Sequence, residues 1–249
     1  MRIIISPAKK MIDQTDLLEY RDMPSFMKEA SALLAYMKGL SYTEAKELWN
    51  CNDKIAELNY DRFQTMDLTR NLTPAIFSYE GIQYQYMAPN VLDQDALDYI
   101  EEHLRVISGF YGVLCPLDGI VPYRLEMQAK LAGHESKNLY EYWGSKLADK
   151  IWSETDVILN LASKEYSKCI SKYVTEKQRF ITCVFGELVN DKVREKSTQV
   201  KMARGEMVRF LAENQITDLE QVKTFDRFGF VFNEERSDDT TFVFVKEVE

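Results

Sequence analysis

Arg124 and Glu126 stand two apart in PYRLEM (Pro122 to Met127), between apolar neighbours, and that spacing governs what they can do. In an extended segment they point to one side while Tyr123, Leu125 and Met127 point to the other. A guanidinium so placed can grip a phosphate or carboxylate with two N–H groups, and a carboxylate beside it can position a proton or a metal. The plainer fate is that the two pair with each other or with nearby backbone. Two more segments share this mixed polarity: NLASKEY brings Asn160, Ser163, Glu165 and Tyr166, and VKMARGEMVRF brings Lys201 and Arg204.

A layout of apolar strand, serine, then lysine occurs twice, in IIISPAKK (Ile3 to Lys10) and VILNLASKEY (Val157 to Tyr166). If each serine caps a helix or turn, free backbone N–H groups and an ammonium (Lys9 in the first case, Lys164 in the second) converge where an anion can sit. If the two strands run parallel in one sheet, both loops lie on the same edge, where open α/β sheets bind ligands. The competing reading is plain caps with solvated lysines. Lys201 and Arg204, three apart with Gly205 alongside, would present two cations beside bare backbone, unless Gly205 instead makes room for a neighbouring element. Ser108 to Gly112 (SGFYG) has the two-glycine turn of a helix-hairpin-helix, whose amides hold nucleic-acid phosphate; a glycine-closed helix end explains it as well. His103 and His134 have no partner at ligand spacing, so no metal and no cofactor are expected, although a carboxylate iron site on Glu126 and Glu165 is one alternative. No GxSxG, P-loop or GxGxxG is present, and no catalytic residue is assigned.

The elements that must position these groups follow from periodicity. Arg2 to Ile5 reads as a buried strand stopped by Ser6-Pro7, and helices follow over Phe26 to Met37, from Ser41 with its Glu44 capping box, and over Asp53 to Phe63. Leu97, Ile100, Leu104 and Ile107 predict one helix closed by Gly109, and Leu139, Trp143, Leu147 and Ile151 another. Strands are expected at Val157 to Leu161, in a hairpin turning at Asn190-Asp191, at Phe228 to Phe232 and at Phe242 to Val245, with a helix from Val200 to Leu211. No repeat or linker interrupts the chain. The expectation is one α/β domain over residues 1–249, with a central mixed sheet flanked by helices, a basic cleft and a helix-hairpin-helix-like segment.

Forty Asp and Glu against thirty-one Lys and Arg give the 249 residues a net charge of -9, which opposes nonspecific attraction to nucleic acid or anionic membrane. From Lys164 to Arg209 the balance reverses: eleven bases against six acids give +5, leaving -14 elsewhere, and the tail from Asn233 carries six acids against two bases. Four scattered cysteines without a CxxC pair, and no apolar run long enough for a membrane, point to a reduced, cytoplasmic, membrane-free setting.

ISPAK, HLRVISGFYGVLCPLDGIVPYRLEM, NLYEYWG, VILNLASKEY, KMARGEMVRF and FGFVF together resemble the YaaA peroxide-stress family over nearly the whole chain. The resemblance implies a cytosolic protein that protects against hydrogen peroxide by limiting free iron and Fenton damage. It also implies an α/β domain with a positive cleft proposed to bind DNA, and it places Lys9, Arg124, Glu126, Asn160, Ser163, Glu165, Tyr166, Lys201 and Arg204 in that cleft. The chain departs from the family pattern at Cys115, where Arg is common before Pro-Leu, at Lys164, where Asp is common, at Met202, where Lys is common, and at Gly81-Ile82-Gln83-Tyr84. The expected function is DNA binding through Lys9, Arg124, Lys201 and Arg204, with amides near Ser163 and Gly109 assisting. The alternative is an enzyme on a small phosphorylated or carboxylated molecule, with Arg124 holding the anion and Glu126 or Glu165 as acid or base.

Overall fold

Ile3, Ile4 and Ile5 are all fully buried, as a strand covered on both faces requires, and they run down the middle of an eight-stranded mixed sheet. The structure, a computed structural model, describes residues 1–247. The last two positions of the expected 1–249 domain, with Glu249 of the acidic tail, lie outside the described residues. Arg2–Ile5 pairs in parallel with Leu104–Ser108 on one side and Val157–Leu161 on the other. Arg179–Val189 and then Thr241–Glu247 continue the parallel set beyond Val157–Leu161. The short strands Gly112–Leu114, Lys192–Arg194 and Val231–Phe232 pair antiparallel to their neighbours. Strands from both ends of the chain therefore share one core, and the α/β reading holds.

Local chemistry accounts for most boundaries. Ser41 and Glu44 form the expected capping box at the start of Tyr42–Trp49, and Asn52 caps Asp53–Thr65 after Asn50 takes a left-handed turn. The hairpin turns at Asn190 and Asp191, both at positive φ, as a two-residue turn demands. Leu139 to Ile151 is two helices rather than one, Leu139–Trp143 and Lys146–Trp152, because Gly144 leaves the helix at φ 51° and ψ -127°. Phe228 to Phe232 is mostly a short 3-10 turn, Arg227–Gly229, leaving only Val231–Phe232 as strand.

The larger correction falls on Leu97 to Gly109. The helix is Gln94–His103, and Leu104–Ser108 is a strand pairing with Arg2–Ile5. Leu104 and Ile107 fit the helical face of Leu97 and Ile100, yet the run Leu104–Ser108 is wholly buried in the sheet, and its β-branched members favour that setting. Ser108 pairs with Gly112, so SGFYG is the turn of a buried β-hairpin, not of a helix-hairpin-helix. The Ser108 hydroxyl accepts the Phe110 and Tyr111 amides, and a Cβ on Gly109 would lie 2.5 Å from the Leu125 carbonyl oxygen. Those amides serve the fold and are withdrawn from any phosphate. Two helices joined by a short turn do occur, at Tyr42–Trp49 and Asp53–Thr65.

A candidate anion site at the strand ends

After Arg2–Ile5 the chain returns to the sheet on one side, as Leu104–Ser108; after Val157–Leu161 it returns on the other, as Arg179–Val189. Two adjacent parallel strands whose connections diverge leave a crevice at their carboxyl ends, the usual ligand position in open α/β sheets. Ile5 pairs with Leu161 at this point, and the two strand-serine-lysine loops meet there. The Ser163 amide donates to Ser6 Oγ at 2.8 Å, and Ser6 Oγ and Ser163 Oγ are 3.2 Å apart. Ser163 occupies the cap position of the Lys164–Ser171 helix, but its hydroxyl caps no amide there. Tyr84 Oη donates to the Ser6 carbonyl at 2.9 Å and fixes the loop from behind.

PYRLEM forms one wall, held by Trp49, whose indole N–H donates to the Arg124 carbonyl at 2.6 Å. The alternation read from its sequence is present: Tyr123, Leu125 and Met127 are buried, and Arg124 and Glu126 face the crevice side. Glu126 receives Arg124 through Oε1 at 2.9 Å and Lys9 Nζ through Oε2 at 2.8 Å. Arg124 and Glu126 are each close to nine-tenths buried, whereas Lys9 reaches in from solvent. Arg124 Nε is sealed from water with no partner, so the guanidinium retains an unused donor. These three side chains line a cavity of about 450 Å³ together with Trp49, Gln128 and Lys130.

Glu165 joins this group from the first turn of the Lys164–Ser171 helix, its Oε1 accepting the Gln128 amide at 3.3 Å. Burial pushes its carboxyl above the usual value; the Gln128 amide works against this, the Glu126 charge adds to it, and Lys9 opposes. Tyr166 lies beneath, buried, and burial with the neighbouring Glu165 charge raises its phenol well above the ordinary value.

Asn160, Ser163, Lys201 and Arg204 line a second cavity, of about 710 Å³, and no residue lines both. The single basic cleft of the sequence reading is thus two cavities, with the Ser163–Glu165 turn bordering each. Asn160 is committed to the fold: Oδ1 accepts the Ala162 amide at 2.9 Å, and Nδ2 donates to Thr182 Oγ1 at 3.2 Å. Gly205 makes room for a neighbour, because a Cβ there would lie 2.1 Å from the Gln83 carbonyl oxygen in the Ile82–Met87 helix. Thr182, Thr241, Trp49, Tyr84 and Glu195 were not legible as site residues. They reach it through strand register and long-range packing, which leave no local mark.

A profile described as peroxide stress protein YaaA matches residues 1–236. The chain belongs to the YaaA peroxide-stress family. A UPF0246 protein of Lachnoclostridium phytofermentans is 58% identical over 99% of this chain and 96% of its own length. Counterparts under the same name in Agathobacter rectalis and Lactiplantibacillus plantarum are 50% and 52% identical, each over at least 98% of both chains. In this YaaA-family chain Cys115 is half-buried. Burial pushes its thiol up to about 11, keeping it protonated at neutral pH, and the thiolate is the reactive form. Glu126 is occupied by two cations, and no cluster of three His, Cys, Asp or Glu suited to a metal occurs among the described residues. Nor is any described helix long and apolar enough to cross a membrane.

Proposed function

We propose that the chain binds and acts on a small phosphorylated or carboxylated molecule in the strand-end crevice, working in the cytoplasm within the peroxide-stress response that describes its family. The carrying observation is Glu126 held between Lys9 and Arg124, beside a Glu165 whose carboxyl burial has raised. An incoming anion displaces Lys9, the exposed partner, from Glu126 and meets the Arg124 guanidinium there. Glu165, its carboxyl raised by burial, is then suited to give or take a proton, with Glu126 orienting the group that reacts. An iron-limiting role would follow from chemistry at that ligand, since Glu126 and Glu165 offer too few free oxygens to cage iron unaided.

The test is a thermal-shift screen of phosphorylated and carboxylated metabolites against wild type, Arg124→Met and Glu165→Gln. A ligand that raises the wild-type melting temperature, fails with Arg124→Met, and binds Glu165→Gln without being turned over is the expected result. A blank screen, or an Arg124→Met response equal to wild type, sinks the reading.

A second reading, duplex DNA on the same edge of the sheet, draws on Lys164, Lys201 and Arg204, which have no carboxylate partner among the described residues. Against it, Arg204 Nε is sealed from solvent, and a rigid duplex reaches only what protrudes.

A further inference from the structure

We infer that the second cavity is a phosphate-monoester subsite for a hydroxylated small molecule of the sugar-phosphate class. The inference goes beyond the small-anion reading of the first cavity, because this second cavity has its own cations and shares no lining residue with the first.

Lys164, Lys201 and Arg204 line this cavity against a single carboxylate, Glu195, and none of the three makes an ion pair among the described residues. The cations of the first cavity differ, since Lys9 and Arg124 both hold Glu126. Arg204 is the informative member. Its guanidinium is largely withdrawn from water, Nε has no acceptor, and burial lowers its pKa. Glu195 offsets part of this burial from beyond ion-pair distance, and a bound anion would offset more. Three cations lining one cavity suit a doubly charged anion, which favours a phosphate monoester over a carboxylate.

The remaining lining mixes apolar residues, among them Phe180, Val184 and Val200, with a polar row ordered by register. Asn160 pairs with Thr182, and Thr182 with Thr241, so three polar side chains form one row across adjacent strands. Thr182 Oγ1 accepts from Asn160, which leaves its own hydrogen free to donate. Ser163, Ser167 and Ser171 follow at four-residue spacing along the Lys164–Ser171 helix and add hydroxyls on one wall. Glu195, on the turn before Ser197, is the one carboxylate in this lining, and its charge acts on Arg204. The volume, about 710 Å³, is within the range that holds a small metabolite.

Calorimetry with ribose 5-phosphate, ribose and inorganic phosphate, on wild type, Lys201→Met, Arg204→Met and Glu165→Gln, tests the assignment. Ribose 5-phosphate should bind wild type and Glu165→Gln alike, and ribose should not bind. Either methionine variant should weaken the complex about tenfold or more, as loss of a charge-assisted hydrogen bond does. Lys201 is exposed, so its variant tests the site even if Arg204→Met folds poorly. Unchanged affinity in Lys201→Met, ribose binding as tightly as its phosphate, or complete loss in Glu165→Gln would each overturn the subsite. The last outcome would move the phosphate to the first cavity and leave the small-anion reading standing. Binding of a short duplex that ribose 5-phosphate cannot displace would overturn both.

Discussion

Asp118 accepts the Cys115 amide at 2.8 Å while only 4% exposed, and the balance of those two facts governs its charge. Burial pushes its carboxyl from 3.8 up to about 7; the Cys115 amide and Arg105 pull it down, and Glu101 and Asp22 push it further up. A folded-state value above the unfolded one means the fold holds the proton more tightly. The stabilisation is complete below about pH 4 and is lost as the pH rises through about 7. The wild-type melting temperature should therefore fall between about pH 5 and about pH 8, and Asp118→Asn should flatten that fall, by roughly 2–4 kcal/mol of pH-dependent stability. Equal pH slopes for the two proteins would show that Asp118 stays ionised. The site residues split by the same logic of surroundings. Arg124 and Glu126 were legible because alternation in a short extended segment is local. That Lys9 completes their pair was not, since the contact spans the crevice.

At the scale of elements, the packing of Ser197–Glu213 on Ile82–Met87 sets where Lys201 and Arg204 stand. Gly205 permits it: an added Cβ would meet the Gln83 carbonyl oxygen at 2.1 Å and the Met87 amide nitrogen at 2.9 Å, both backbone atoms that cannot swing aside. Gly205→Ala should cost about 3 kcal/mol in denaturant unfolding, near the upper end for overpacking, and displace the second cavity's cations together. A loss below about 0.5 kcal/mol would show that the helices part freely. Sequence periodicity found the long helix but not its partner, because six residues give too few turns for a period to register. The same ambiguity misread Leu104–Ser108, a short apolar run that fits helix and strand alike.

For the whole molecule, part of the +5 stretch of Lys164 to Arg209 is taken up by internal contacts. Lys196 binds Glu187, with Lys246 also beside it, and Arg209 binds Glu213. Lys168 lies over the Tyr140 ring and Lys172 over Tyr173. Four of the eleven bases are so engaged, and the net charge of -9 on the chain as a whole opposes a duplex. Fluorescence anisotropy with a labelled duplex should therefore give binding no tighter than the nonspecific range, about 10⁻⁴–10⁻⁶ M at physiological salt. Nanomolar affinity, falling steeply with salt and lost in Lys201→Ala/Arg204→Ala, would instead establish DNA as the partner.

The sequence by itself determined the α/β class, the buried Ile3-Ile4-Ile5 strand, the capping box, the Asn190-Asp191 hairpin and the two-sided character of PYRLEM. Each rests on a period or turn contained within a few residues. Tertiary structure alone decided that Ser6 meets Ser163 across 157 positions, that Glu126 is shared by Arg124 and Lys9, and that the expected cleft is two cavities. Those outcomes depend on strand order and on which helix packs where. They are set by burial summed over the whole core, so no local pattern carries them.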